Sequence, residues 1–231
     1  MTTVEQNLAL QLYDIGGVMD RNCIHPKLNP KGKGFRLVLH DTQPDAPLSP
    51  FYLNLRTPSN PKPGPLTPEI LTNIGQVMFA KSLGSGLYFP RDYRRVVSVP
   101  NAGDPFVRAF SAAGGPTPIP YLLLKKEEGR EFGDVAEGEY EAGETDLLMD
   151  DLITKAGSKG KAIERLRRMG ISVAHVMVLV DREQGGSAEL VKQGYGFTAV
   201  FTINQMLRLY LEAERMNQEM YNEITTYLAT S

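Results

Sequence analysis

Five short runs of almost uninterrupted apolar residues constrain this chain more than any other feature: VVSV at 96–99, YLLL at 121–124, DLLM at 146–149, HVMVLV at 175–180 and FTAVF at 197–201. A strand with one wet face alternates apolar and polar side chains, whereas a strand covered on both faces carries a continuous run. Between the runs lie segments of helical spacing at 106–113, 158–169 and 188–193. Helices alternating with doubly covered strands predict an α/β fold whose parallel sheet is flanked by helices. In such sheets ligands bind beyond the carboxyl ends of the strands, so the residues that follow each run are the first place to look for chemistry.

The flanks read differently. Of the 16 prolines, 8 fall between Pro44 and Pro68, a density that excludes a long helix there. Tyr52, Leu53 and Leu55 interrupt this stretch as a short strand, which makes it an irregular, strand-containing hood and not a linker. Val4 to Leu12 reads as a short helix. Leu66 to Leu83 reads as another, with Thr67 as N-cap ahead of Pro68. The tail from Ile203 to Leu228 is amphipathic and forms one long helix or two. The expected organisation is an N-terminal helix and hood over residues 1–66 and a core with its C-terminal helix over 67–231.

Charge and composition remove several function classes. With 25 basic against 27 acidic residues, the net charge of -2 provides no general field for nucleic acid, so an anionic ligand must be held locally. No apolar run approaches the roughly 20 residues that span a bilayer, and the amino terminus lacks a basic region and a small-residue cleavage site, which predicts neither membrane insertion nor export. The single cysteine, Cys23, cannot form an internal disulfide, which suits a cytoplasmic protein. His25, His40 and His175 are the only histidines, and no CxxC or HExxH spacing exists, which leaves structural zinc and zinc-protease chemistry without candidates. Cys23 and His25 are close in sequence, but a spacing of two in a Pro/Gly/Asn-rich stretch does not define a nucleophile pair.

One segment concentrates chemistry. TDLLMDDLITKAGS, residues 145–158, is a buried strand, two adjacent carboxylates and a small-residue loop that opens a helix. Backbone amides at a helix amino terminus suit a phosphate, and the helix dipole adds to the attraction. Asp150 and Asp151 facing that phosphate would repel it; accepting hydrogen bonds from sugar hydroxyls, or reaching Mg²⁺ through water, gives them a purpose. A sugar phosphate therefore fits. The plainer alternative also fits: Asp150 and Asp151 end a strand while Gly157 and Ser158 cap a helix. A Walker-type nucleotide loop does not fit, because GSKGK lacks the required spacing and its lysines lie beyond the turn.

DLLMDDLITKAGS resembles the phosphoribosyl diphosphate motif of type I phosphoribosyltransferases. VMVLVDREQGG at 176–186 looks like a segment of the orotate phosphoribosyltransferases, SPFYLNLR at 49–56 is similar to their hood motif, and VSVPNAGDP at 97–105 resembles their pyrophosphate loop. The four blocks stand in the family's order, over about residues 35–210. The resemblance implies that Asp150 and Asp151 hold the ribose hydroxyls and that Thr154, Ala156, Gly157 and Ser158 wrap the 5-phosphate. It implies that Arg182 pairs with the carboxylate of an orotate-like base, for which a guanidinium fork is suited. Phe51 and Tyr52 would pack near the base plane, although core packing explains aromatic residues equally well. Mg²⁺, phosphoribosyl diphosphate and orotate are the implied cofactor and substrates, and a homodimer follows from a family loop that supplies cations to the neighbouring subunit.

That loop is altered here. It corresponds to KKEEGREFGDVAEG at 125–138, where Lys126 stands for the first Arg of the family pattern, Glu127 replaces a Lys, Arg130 replaces the catalytic Lys and Phe132 replaces His or Tyr. A Lys-to-Glu exchange reverses a charge beside a polyanionic substrate and should weaken binding and transition-state stabilisation. Ala156 and Ser98 replace glycines, and Asp104 adds an anion near the pyrophosphate loop. Two functions follow: an orotate phosphoribosyltransferase, with Asp150, Asp151, Arg130 and Lys126 as its catalytic residues, or a weakened homologue that binds nucleotide or phosphoribosyl diphosphate as a regulator or serves another base.

Overall fold

The computed structural model describes residues 1–41, 43–127 and 132–230, apart from the side chains of Val38 and Leu39. They divide into two compact units, Met1–Glu5 with Thr67–Ile203 and Gln6–Leu66 with Asn204–Ser231. The elements in chain order are α1 (Thr3–Asp14), β1 (Val18–Asp20), a 3-10 turn (Val38–Asp41), β2 (Phe51–Leu53), α2 (Pro68–Gly84), β3 (Val96–Ser98), α3 (Asp104–Ala113), β4 (Tyr121–Lys126), β5 (Phe132–Glu137), β6 (Thr145–Ile153), α4 (Gly157–Arg168), β7 (Ser172–Asp181), α5 (Gly186–Lys192), β8 (Gly196–Thr202), α6 (Ile203–Glu212) and α7 (Gln218–Thr230).

The first unit is built on a six-stranded sheet of order β5-β4-β3-β6-β7-β8. All neighbours are parallel except β4 and β5. Each of the five apolar runs forms one of its strands. Val97 pairs with Leu122 on one side and Leu148 on the other. These residues join Val176, Val178, Ala162, Ile163, Leu166 and Leu190 in one buried cluster, which places α4 and α5 over one face. Strand side chains alternate between faces, so Val96, Leu147, Met149 and Met177, also buried, belong to the other face, where α2 and α3 pack on β3, β6 and β8. Thr67 caps α2 as expected, its Oγ1 accepting from the Ile70 N–H at 3.3 Å.

The stretch 125–138 departs from the expected loop. Strand β4 continues through Lys126, and β5 runs antiparallel beside it with Lys126 opposite Phe132 and Leu124 opposite Val135. Phe132 and Val135 pack against the buried cluster, and that apolar contact outweighs the turn propensity of a charged, glycine-containing segment. Asp134 and Glu137 of β5 are exposed, in keeping with an edge strand protected by charge.

In the second unit β1 and β2 form an antiparallel pair, Val18 opposite Leu53. The tail forms two helices. Asn217 starts the second, its side chain accepting from the Met220 N–H at 2.9 Å. The buried Tyr210 of α6 donates to the Ala9 carbonyl at 3.0 Å and packs on Tyr13, ring centroids 4.7 Å apart.

Helices α2 and α3 approach so closely at Gly75 that a Cβ there would lie 2.4 Å from the Ala109 carbonyl oxygen. Alanine normally favours a helix over glycine by about 1 kcal/mol. Here Gly75→Ala is expected to lower stability by about 1–3 kcal/mol through overpacking, measured as a lower urea midpoint at unchanged m.

Candidate active site at the carboxyl edge of the sheet

Three of the sequence motifs lie side by side in the first unit, because β3, β6 and β7 are neighbouring parallel strands whose carboxyl ends share one edge. The order of the strands reverses here: the chain passes from β3 outward to β4 and β5, then returns to β6 on the other side of β3. This is a topological switch point, where the loops leaving adjacent strands diverge and open a crevice. Residues 99–103 follow β3 and stay against β6, the Val99 N–H donating to the Met149 carbonyl at 2.9 Å.

Asp150 and Asp151 lie near the carboxyl end of β6, with 4% and 7% of their surface exposed. Asp150 Oδ1 accepts from the Asp151 N–H at 2.9 Å, and Asp151 Oδ1 accepts from the Leu152 N–H at 2.8 Å. Lys159, in the first turn of α4, reaches back beneath them, with Nζ 2.6 Å from Asp150 Oδ2 and a further hydrogen bond to the Leu152 carbonyl. Burial, and next the neighbouring Asp150, push the Asp151 carboxyl well above the usual carboxylate range, with Lys159 pulling it partly back. Sequence reasoning placed the lysines of GSKGK past the loop and gave them no role. The missed signal was spacing: Lys159, Ala162, Ile163 and Leu166 occupy one helical face, and all four are buried.

Between β6 and α4, Thr154 and Ala156 are half-buried, and Gly157 and Ser158, the first residues of α4, are exposed. Ala156 caps α4 with no side-chain hydrogen bond, so the amides of the first turn are not satisfied by a cap. Its φ of -72° lies in the right-handed helical region, so the loop requires no glycine there and the Gly-to-Ala departure costs no backbone strain. The turn after β7 abuts this loop. The Gly186 N–H donates to the Thr154 carbonyl at 3.1 Å, and a Cβ at Gly186 would lie 2.7 Å from Ile153 Cγ1. Arg182 is buried in that turn, its N–H donating to the Ile153 carbonyl at 2.9 Å. Asp181 holds the turn by accepting from the Glu183 N–H at 2.8 Å.

Asp104, the added anion, is partly masked. Ser98 Oγ donates to its Oδ1 at 2.5 Å, and burial raises its carboxyl above the usual range. Lys126 lies at the carboxyl end of β4, on the same edge of the sheet and exposed. Among the described residues no ion pair joins it to Asp150 or Asp151. The Glu127 carboxylate lies over Gly133, against its own hairpin. Arg130 lies outside the described residues. Phe51 and Tyr52 belong to the second unit: Phe51 is buried edge-on to Tyr227, and Tyr52 stacks on Phe35 while its hydroxyl accepts from Arg56 at 2.9 Å.

A switch-point crevice formed by a carboxylate pair, a helix-opening loop and a buried arginine defines the chain as a type I phosphoribosyltransferase in fold. The orotate phosphoribosyltransferase of Mycobacterium tuberculosis solved in complex with 5-phospho-α-D-ribosyl 1-diphosphate shares this fold at a TM-score of 0.58 and 19% identity, over 89% of this chain and 93% of that one. The UMP synthase of Leishmania donovani superposes at a TM-score of 0.72 and 26% identity over 98% of this chain, which spans 42% of that protein. No family model matches. The orotate phosphoribosyltransferase of Nostoc sp. is 32% identical over 170 residues, 70% of this chain and 79% of that protein, and the chain belongs to the orotate phosphoribosyltransferase family.

A carboxyl whose pKa is raised on folding favours the folded state below its unfolded pKa of about 4, and that advantage is lost as pH rises through the folded value. Asp151→Asn removes the cost of ionising this buried group. The variant is therefore expected to match the parent's stability near pH 4 and to exceed it by about 1–3 kcal/mol at pH 9, measured by urea unfolding at both pH values.

Proposed function

We propose that the chain transfers the 5-phosphoribosyl group from phosphoribosyl diphosphate to orotate, giving orotidine 5-phosphate and pyrophosphate, in pyrimidine nucleotide biosynthesis. The observation that carries this reading is that the 99–103, 150–158 and 181–186 segments leave neighbouring strands at one edge of the sheet and are joined by backbone hydrogen bonds. The amides and hydroxyls of Thr154 to Ser158 hold the 5-phosphate at the start of α4. Asp150 and Asp151 serve the ribose hydroxyls, and the 99–103 segment lies where the pyrophosphate leaves. Arg182 receives the carboxylate of the base.

As the bond from the anomeric carbon to pyrophosphate breaks, positive charge develops on the ribose ring and the base nitrogen attacks. The protein's contribution is alignment of donor and acceptor, stabilisation of the leaving group and exclusion of water. Lys126 and Arg130 supply cations to the leaving group, in a homodimer whose 125–131 segment serves the neighbouring site. No group of three or more His, Cys, Asp or Glu suited to a metal occurs among the described residues. Two adjacent carboxylates nevertheless fit Mg²⁺, which is held through one or two carboxylates and substrate oxygens and not in an all-protein cage. Asp151, the member of the pair not tied to Lys159, would hold it together with substrate oxygens, and when bound it would neutralise the diphosphate. No helix among the described residues is long and apolar enough to cross a membrane, and the proposed location is cytoplasmic.

A second reading, a weakened homologue that binds donor without turnover, is supported by Glu127 beside the exposed Lys126 and by Phe132 docked on the core. Incubation with phosphoribosyl diphosphate, Mg²⁺ and orotate separates the two. Formation of orotidine 5-phosphate and pyrophosphate supports the transferase; donor binding without product supports the second reading. In the active protein, Arg182→Ala is expected to raise KM for orotate by about 10–100-fold, the worth of a charge-assisted pair, with KM for phosphoribosyl diphosphate changed less than about threefold. An unchanged orotate KM would remove Arg182 from the base site.

A further inference from the structure

The lysine beneath the carboxylate pair has no place in the roles described so far. An ammonium group is normally solvated, and a lysine is almost never fully buried unless paired. The Lys159 side chain is 4% exposed, and that of Asp150, its partner at 2.6 Å, is 6% exposed. The contact crosses from the first turn of α4 back to the end of β6, so it ties the two sides of the 151–158 loop together. A second bond from Nζ to the Leu152 carbonyl fixes the ammonium against the strand. Asp150 is therefore held at both oxygens, by Lys159 and by the Asp151 N–H. Asp151 Oδ1 accepts from the Leu152 N–H, and its carboxyl shares a side-chain hydrogen bond with Asp150 instead of an ion pair with Lys159.

Resting on the reading of this crevice as a phosphoribosyl diphosphate site, we propose that Lys159 is a positioning residue for the donor sugar. It neutralises and fixes Asp150, so that the polyanionic donor does not meet two uncompensated carboxylates and Asp151 is the member of the pair not tied to Lys159. Two adjacent uncompensated carboxylates at low dielectric would repel the donor's 5-phosphate and diphosphate. The counter-ion beneath them offsets the charge of Asp150 without occupying space in the crevice. It also keeps the start of α4, and with it the phosphate amides, at a fixed distance from the sugar site.

Calorimetric titration of the intact protein with phosphoribosyl diphosphate and Mg²⁺, paired with steady-state kinetics, tests this. Lys159→Met is expected to weaken donor binding at least about tenfold, with orotate KM changed less than about twofold. Lys159→Arg, which keeps the cation, is expected to stay within about threefold of the parent. In an Asp150→Asn background, where the charge to be neutralised is gone, Lys159→Met should cost less than about threefold. If Lys159→Met does not fold, Lys159→Gln, which keeps a donor to Asp150 but not the charge, is expected to show the same tenfold loss. Unchanged donor affinity in the folded Met or Gln variant, an Arg variant no better than Met, or an equal loss with and without Asp150, overturns the role of Lys159. Failure of the parent protein to bind the donor overturns the functional reading as well.

Discussion

The place where the sheet reverses its strand order is the constraint on which the rest depends. Strand β3 is only three residues long, Val96–Ser98, yet it lies between β4 and β6 and pairs with both. The chain must leave it in one direction and return on the other side, and the loops that do so cannot close over one another. This leaves room above β3 and β6 for a ligand. It also sets the carboxylate pair of β6, the residues after β3 and the arginine turn after β7 side by side on one edge of the sheet. None of these groups touches in sequence, and the parallel pairing of apolar strands is what aligns them.

The electrostatics of the crevice follow from the same geometry. Strand ends that finish inside a doubly covered sheet carry their polar residues into a poorly hydrated environment, where a lone charge is costly. Each acidic group there is met by a local device: Lys159 for Asp150, backbone N–H groups for Asp151 and Asp181, and a hydroxyl and a raised pKa for Asp104. The net charge of -2 over the whole chain conceals this arrangement. At the opposite end of the same strands the buried Arg95 binds both oxygens of Asp146 at 3.0 Å, joining β3 to β6 from below.

The central strands were legible in the sequence because burial on both faces writes a continuous apolar run; the loop at 154–158 was legible as a small-residue turn opening a helix, a pattern that a phosphate site and a plain helix start share. Strand β5 was not, since FGDVAE carries two charges and a glycine and owes its conformation to pairing with β4 and to the docking of Phe132 and Val135. Strand β1 was too short to show a period and exists through its pairing with β2. Lys159 was passed over because the segment was read as a phosphate loop, in which a helical lysine is misplaced. Read as the first residue of an apolar stripe through Ala162, Ile163 and Leu166, it demands a buried partner, and Asp150 answers.

The claim that these loops form one donor site is tested most directly by backbone amide hydrogen exchange with and without phosphoribosyl diphosphate and Mg²⁺. Protection is expected in peptides covering 99–104 and 150–159 on addition of the donor alone, and in 181–186 on further addition of orotate. Protection confined to other segments, or none at 150–159 under saturating donor, would contradict it.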